Sequence, residues 1–137
     1  MKKIRAAVVG YGNIGQYTLQ ALEAAPDFEV AGIVRRQGAK EKPLELERYD
    51  VVSDIAELHD VDVAILALPT RECPTYAKRF LAMGINTVDS FDIHTGIVNY
   101  RAELTPVCKE HGRVSVISAG WDPGSDSIVR MLMQSLA

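Results

Sequence analysis

Short apolar runs alternate along this chain with segments whose apolar residues recur every three or four positions. Ile4–Val9, Phe28–Val34, Tyr49–Val52, Val61–Leu68, Ile85–Val88 and Arg113–Ser118 read as strands. After the first, Ile14, Thr18, Ala21, Leu22 and Ala25 form a helical stripe that Pro26-Asp27 ends. Residues 35–48 are charged, contain Gly38 and Pro43, and read as a loop. Asp54 with Glu57 predicts a capping box on a short helix. Pro74 suits the first turn of a helix that Gly84 closes. Tyr100, Leu104, Val107, Cys108 and His111 make another stripe, closed by Gly112, with Pro106 expected to kink or restart it. Gly120–Gly124 reads as a loop, and Ile128, Met131, Leu132 and Leu136 start a last amphipathic helix.

Strands alternating with helices predict an α/β fold with a doubly wound parallel sheet of six strands, in the order 3-2-1-4-5-6. Val61–Leu68, apolar almost throughout, suits a central strand. Residues 1–124 read as one domain. Residues 125–137 read as the start of a helix leading toward a substrate or dimerisation domain absent from this sequence.

The turn after the first strand carries the most informative chemistry. Gly10, Gly12 and Gly15 form G-x-G-x-x-G between a strand and a helix. That is the context in which the motif cradles a dinucleotide pyrophosphate, and it makes the predicted sheet a Rossmann fold. The first glycine permits the tight turn, the second lets the phosphates approach the backbone, and the third lets helix and strand pack closely. NAD-binding members of this fold place an acidic residue about 20 positions past the glycines to hold the ribose 2′-hydroxyl. Here the second strand runs into Arg35-Arg36 instead. Guanidiniums bind a 2′-phosphate that a carboxylate would repel, so NADP is the expected cofactor.

Composition narrows the classes. The chain has 137 residues, 47% of them hydrophobic and 24% charged, in the range of one globular domain. A net charge of −3 gives no reason to expect a nucleic acid or an anionic membrane as partner. No apolar run reaches membrane-spanning length, and Met1–Arg5 leads straight into a strand without a secretion-signal core. Cys73 and Cys108 make neither a disulfide framework nor a metal pattern, so no metal is expected and a reducing cytoplasm is the simplest setting. Cys73 stands at a helix start, a position that lowers a thiol pKa. Cys108 and His111 share the apolar stripe of their helix, which favours packing over ligation. His59 reads as a surface loop residue, and His94 as a loop cap or a base.

Four stretches together carry a more specific likeness. Val9-Gly10-Tyr11-Gly12-Asn13-Ile14-Gly15, Arg35-Arg36, Thr87-Val88-Asp89-Ser90-Phe91-Asp92-Ile93-His94 and Ser118-Ala119-Gly120-Trp121-Asp122-Pro123-Gly124 resemble the meso-diaminopimelate dehydrogenases, in their NADP-binding portion. The resemblance implies NADP-dependent, reversible oxidative deamination at the D-centre of meso-2,6-diaminopimelate, giving L-2-amino-6-oxopimelate and ammonia. It also implies a cytoplasmic homodimer. By the same resemblance Gly10, Tyr11, Gly12, Asn13, Ile14 and Gly15 follow the pyrophosphate, and Arg35 and Arg36 meet the 2′-phosphate. Leu68, Pro69, Thr70 and Arg71 pass the adenosine-side ribose and phosphates, and Ser90, Phe91 and Gly120 lie toward the nicotinamide half. Asp92, Trp121 and Asp122 face the D-amino-acid centre. One departure stands out: some members carry a serine where this chain has Val34.

Asp92 and Asp122 follow the fifth and sixth strands, at the sheet edge where ligands bind. Carboxylates there suit a substrate ammonium, and either residue is a candidate for the proton transfer that amine oxidation requires. Each also fits a turn or a helix cap. Alternative readings are a related amino-acid-pathway reductase, such as a dihydrodipicolinate-reductase-like protein, and a stand-alone NADP-binding module. The chain by itself is expected to bind cofactor without turning over substrate.

Overall fold

The computed structural model describes residues 2–40, 42–121 and 124–136. Asp122, a candidate site residue, lies outside them. Six strands form one sheet in the order β3-β2-β1-β4-β5-β6, as the strand–helix alternation predicts. They are β1 (Ile4–Val9), β2 (Phe28–Val34), β3 (Val51–Val52), β4 (Val63–Leu66), β5 (Asn86–Asp89) and β6 (Ser115–Val116). The pairings β1·β2, β1·β4, β2·β3 and β5·β6 are all parallel. The helices are α1 (Asn13–Ala24), α2 (Cys73–Ala82), α3 (Ile97–His111) and α4 (Ser125–Leu136). The chain packs as two compact units, Met1–Leu68 and Pro69–Ala137.

In the first unit the strand order reverses at β1, which β2 and β4 flank. Ala6, Val8, Ile33, Leu19 and Leu22 close its core. The inward face of α1 overlaps the predicted stripe only in part: Leu22 is buried and Thr18 half-buried as expected. Gly15, Leu19 and Leu22 are buried, while Ile14 is 62% exposed and Ala21 is exposed. The cause is Gly15, which lies against the backbone of Gly10 and so sets the rotation of the helix. Residues 35–48 are not all loop. One 3-10 turn, Leu44–Leu46, drives Leu46 into the core with no exposed surface. The capping box is present: Asp54 accepts from the Ala56 N–H and Glu57 from the Asp54 N–H, on a single 3-10 turn rather than a longer helix. β3 and β4 are shorter than their apolar runs, because the outer residues leave the ladder before the pattern ends.

In the second unit α2 carries Pro74 in its first turn, and Gly84 beyond its end takes φ +82. α3 is one continuous helix through Pro106, contrary to the expected break. Proline removes the bond to the carbonyl four residues back, here that of Ala102, and Ala102 and Pro106 both stand on the exposed side of the helix, open to solvent. Tyr100 and Leu104 are buried on this helix, Cys108 is half-buried and His111 is exposed, so the packing role expected for His111 is not seen. α4 forms as the amphipathic pattern predicts, and none of its described residues is buried.

Candidate functional site

At the reversal of strand order the chain builds a tight glycine turn. Gly10 takes φ +96, and a side-chain carbon there would lie 2.3 Å from the Ala67 carbonyl oxygen at the end of β4. A carbon on Gly15 would lie 2.1 Å from the Gly10 carbonyl oxygen. One on Gly12 would meet nothing within 4 Å. Gly10 and Gly15 are therefore required by the chain itself, whereas Gly12 faces open space. Gly12 also caps α1, with no side-chain cap and no acidic residue in the first turn. The first-turn N–H groups thus keep their capacity for an anion. Asn13 and Ile14 are exposed there, and Tyr11 and Leu68 are half-buried.

Arg35 follows β2 directly. Its N–H bonds the Val52 carbonyl at 3.0 Å, and its guanidinium reaches Gln37 at 3.1 Å. Arg36 lines a cleft of about 590 Å³ with Gln37, Gly38, Lys40, Val52 and Ser53. The Tyr11 phenol pKa is raised, first by burial and then by Glu45 and Glu23, while the Arg35 charge opposes them. Glu23 is itself engaged by Arg48 and the Tyr49 hydroxyl. A glycine turn with free space at its middle glycine, an uncapped helix start and cations in place of an acid after β2 fit a dinucleotide phosphate.

The second unit holds the remaining candidates on three loops. Pro69, Thr70 and Arg71 precede α2, and the Thr70 hydroxyl accepts the Asp92 N–H at 3.0 Å, so those two predicted residues are brought together. Ser90 and Gly120 are also neighbours: a carbon on Gly120 would lie 3.7 Å from Ser90 Cβ. Asp92 is exposed and Trp121 is 77% exposed. Phe91 differs. It is 5% exposed, and its ring packs on Tyr100 with centroids 4.7 Å apart, so the side chain is turned into the fold. His94 and His59 are exposed. No group of residues able to hold a metal occurs among the described residues. No described helix is long and apolar enough to cross a membrane.

Two findings revise the reading of side-chain chemistry. The Cys73 thiol is not activated. It is 1% exposed, and burial, followed by the Asp89 charge, pushes it up to about 11. Burial outweighs the helix start that was expected to lower it. The second is Asp89, which sequence reasoning passed over. It is 2% exposed and accepts from Phe91, Ser118 and Tyr100. The signal was present: Ile85, Thr87 and Asp89 alternate onto the buried face of β5, where a carboxylate needs partners.

This geometry defines a dinucleotide-binding Rossmann domain. Residues 4–88 match the oxidoreductase family with an NAD-binding Rossmann fold, and the chain belongs to that family. It is similar to a meso-diaminopimelate D-dehydrogenase of Bacteroides fragilis, 69% identical over 137 residues, all of this chain and 46% of that protein. Among solved structures it is similar to the C. glutamicum DAP dehydrogenase in complex with DAP, at TM-score 0.78 and 32% identity, covering 99% of this chain and 42% of that one. An engineered D-amino acid dehydrogenase bound to NADP+ matches at TM-score 0.77 and 31% identity, covering 98% of this chain and 42% of that one. The chain spans about half the length of the curated relatives it matches or less.

Proposed function

We propose that this chain is the cofactor-binding part of an NADP-dependent meso-diaminopimelate dehydrogenase, which reversibly deaminates the D-centre of its substrate to L-2-amino-6-oxopimelate and ammonia. The observation that carries the reading is the 69% identity, along the whole chain, to the Bacteroides fragilis enzyme. Residues 1–124 would form the nucleotide-binding domain, and residues 125–137 would lead into the rest of a cytoplasmic homodimer.

The first-turn N–H groups of α1, reached over Gly12, would hold the pyrophosphate, with Tyr11, Asn13 and Ile14 alongside. Arg35 and Arg36 would clasp the 2′-phosphate, which favours NADP over NAD. When bound, the cofactor supplies the hydride acceptor. Leu68, Pro69, Thr70 and Arg71 would flank the ribose and phosphates, and the Ser90–Phe91 turn, with Gly120 beside Ser90, would lie toward the nicotinamide. Asp92 and Asp122 would hold the substrate ammonium and one of them would take its proton, with Trp121 as a wall of the pocket. Val34 supplies no hydroxyl to the phosphate, so more of that contact would fall to the arginines.

The test is the full-length protein with NADP+ and meso-diaminopimelate. Formation of NADPH and ammonia, with much weaker reaction of the L,L and D,D isomers or of NAD+, supports the reading. NADPH formation with other amino acids but not with meso-diaminopimelate overturns it. The 137-residue chain alone should bind NADP+ without turnover, and robust turnover by that chain would overturn the assignment of a second, substrate-holding part.

A further inference from the structure

Two residues assigned above to the amino-acid substrate, Asp92 and Trp121, stand on the loops Ser90–Asp92 after β5 and Ser118–Trp121 before α4. What ties these loops together is a side chain with no assigned role. Asp89 ends β5 and is 2% exposed. Its Oδ1 accepts the Phe91 N–H at 3.0 Å and the Ser118 N–H at 3.1 Å. Its Oδ2 accepts the Tyr100 hydroxyl of α3 at 2.6 Å. Its own carbonyl accepts the Ala119 N–H at 2.7 Å. A buried carboxylate is tolerated when its lone pairs are filled, and here donors from two loops and a helix fill them.

Ser118 shows why the tie is needed. It takes φ +57, a conformation that side-chain-bearing residues rarely adopt. Its hydroxyl is buried with no hydrogen-bond partner among the described residues, so no described contact of the side chain holds the turn. The bond from its N–H to Asp89 does. The Phe91 ring packs on the ring of Tyr100, so the same tyrosine braces the first loop by contact and the carboxylate by hydrogen bond.

We propose that Asp89, oriented by Tyr100, is a positioning residue that sets the separation of the Asp92 loop from the Trp121 loop and thereby the grip on the amino-acid substrate. The substrate part rests on the function proposed above; the tie between the loops does not. Asp89 touches no substrate in this account and acts through the two loops.

The test compares Tyr100→Phe, Asp89→Asn and Asp89→Leu in the full-length protein. Kinetics are measured for each substrate, with amide hydrogen exchange at Phe91 and Ser118. Tyr100→Phe should raise the KM for meso-diaminopimelate about tenfold while the KM for NADP+ stays within about twofold. Exchange at both amides should quicken by about tenfold. Asp89→Asn should restore most of the substrate grip lost in Asp89→Leu, because its amide oxygen still accepts both N–H groups and its NH2 turns to the tyrosine oxygen. Asp89→Leu removes every side-chain partner at once, so Tyr100→Phe, which keeps the carboxylate, is the deciding variant. Wild-type KM and exchange in Tyr100→Phe, or equal losses for both substrates, would overturn the proposal. If the wild-type protein does not oxidise meso-diaminopimelate, the functional reading and the substrate grip fall together, and the exchange rates alone then uphold or reject the tie between the loops.

Discussion

Gly15 lies so close to Gly10 that a methyl group on it would sit 2.1 Å from the Gly10 carbonyl oxygen. The obstacle is backbone, which has no rotamer to yield. Gly15→Ala should therefore push α1 away from β1. Overpacking of this kind costs about 1–3 kcal/mol. The better helix propensity of alanine returns about 1 kcal/mol, leaving a net loss of up to about 2 kcal/mol. Denaturant unfolding of the variant measures it, and unchanged stability would show that the helix shifts freely.

Gly12 should behave in the opposite way. A carbon there meets nothing in the chain within 4 Å, and its φ of −88 is open to any residue. Gly12→Val should leave the folded chain within about 1 kcal/mol of wild type, the range of a lost glycine N-cap. Cofactor affinity should fall by at least about tenfold, because the side chain occupies the space through which the phosphates approach. Titration with NADP+ beside a thermal melt separates the two effects. Normal affinity in this variant would place the pyrophosphate elsewhere.

Arg35→Ala and Arg36→Ala should each weaken NADP+ binding by about 1.5–3 kcal/mol, the value of a charge-assisted hydrogen bond. NAD+ lacks the 2′-phosphate, so its affinity should move little. The informative quantity is the ratio of the two dissociation constants. A double variant that keeps the wild-type ratio would mean that the arginines only solvate the loop.

Stability should fall in alkali. Cys73 is pushed up from its ordinary 9.0 to about 11 by burial first and the Asp89 charge second. Tyr100 is raised as well, by burial first and its hydrogen bond to Asp89 second. In both cases the folded chain keeps the neutral form. The unfolded thiol ionises near pH 9, so the stability held below that pH is lost as pH rises toward 11. Denaturation midpoints across this window should drop, and Cys73→Ala should flatten part of the slope. Alkylation of Cys73 in the folded chain should lag far behind that of the unfolded chain.

Leu46→Ala should cost about 2–5 kcal/mol, the usual range for emptying a filled core position. Leu46 has no exposed surface, although it stands in a segment that reads as loop. A loss under about 1 kcal/mol would mean that the Leu44–Leu46 turn adjusts to close the gap.

The fold was legible because β1, β2 and the helices carry whole periods of their pattern. Ile4–Val9 and Phe28–Val34 were bounded correctly from apolar runs alone. Leu46 was hidden because three residues in a 3-10 turn offer no period to read. The buried face of α1 was misread in part because the stripe counts side chains, and the residue that fixes the rotation, Gly15, has none. Within the candidate site, the glycine turn was readable since its geometry depends on neighbours in sequence. Asp89 was not, because its partners Tyr100 and Ser118 arrive from residues 11 and 29 positions away. Phe91 was expected toward the cofactor on resemblance, and only the packing on Tyr100 shows that its ring is turned inward.

The turn at Gly10 is wedged against the Ala67 carbonyl and leaves no slack between the ends of β1 and β4. On the function proposed above, an incoming nucleotide would meet a turn already shaped rather than a hinge. Little chain ordering would then accompany its arrival, so encounter frequency, not a folding step, should limit how fast the complex assembles at this turn.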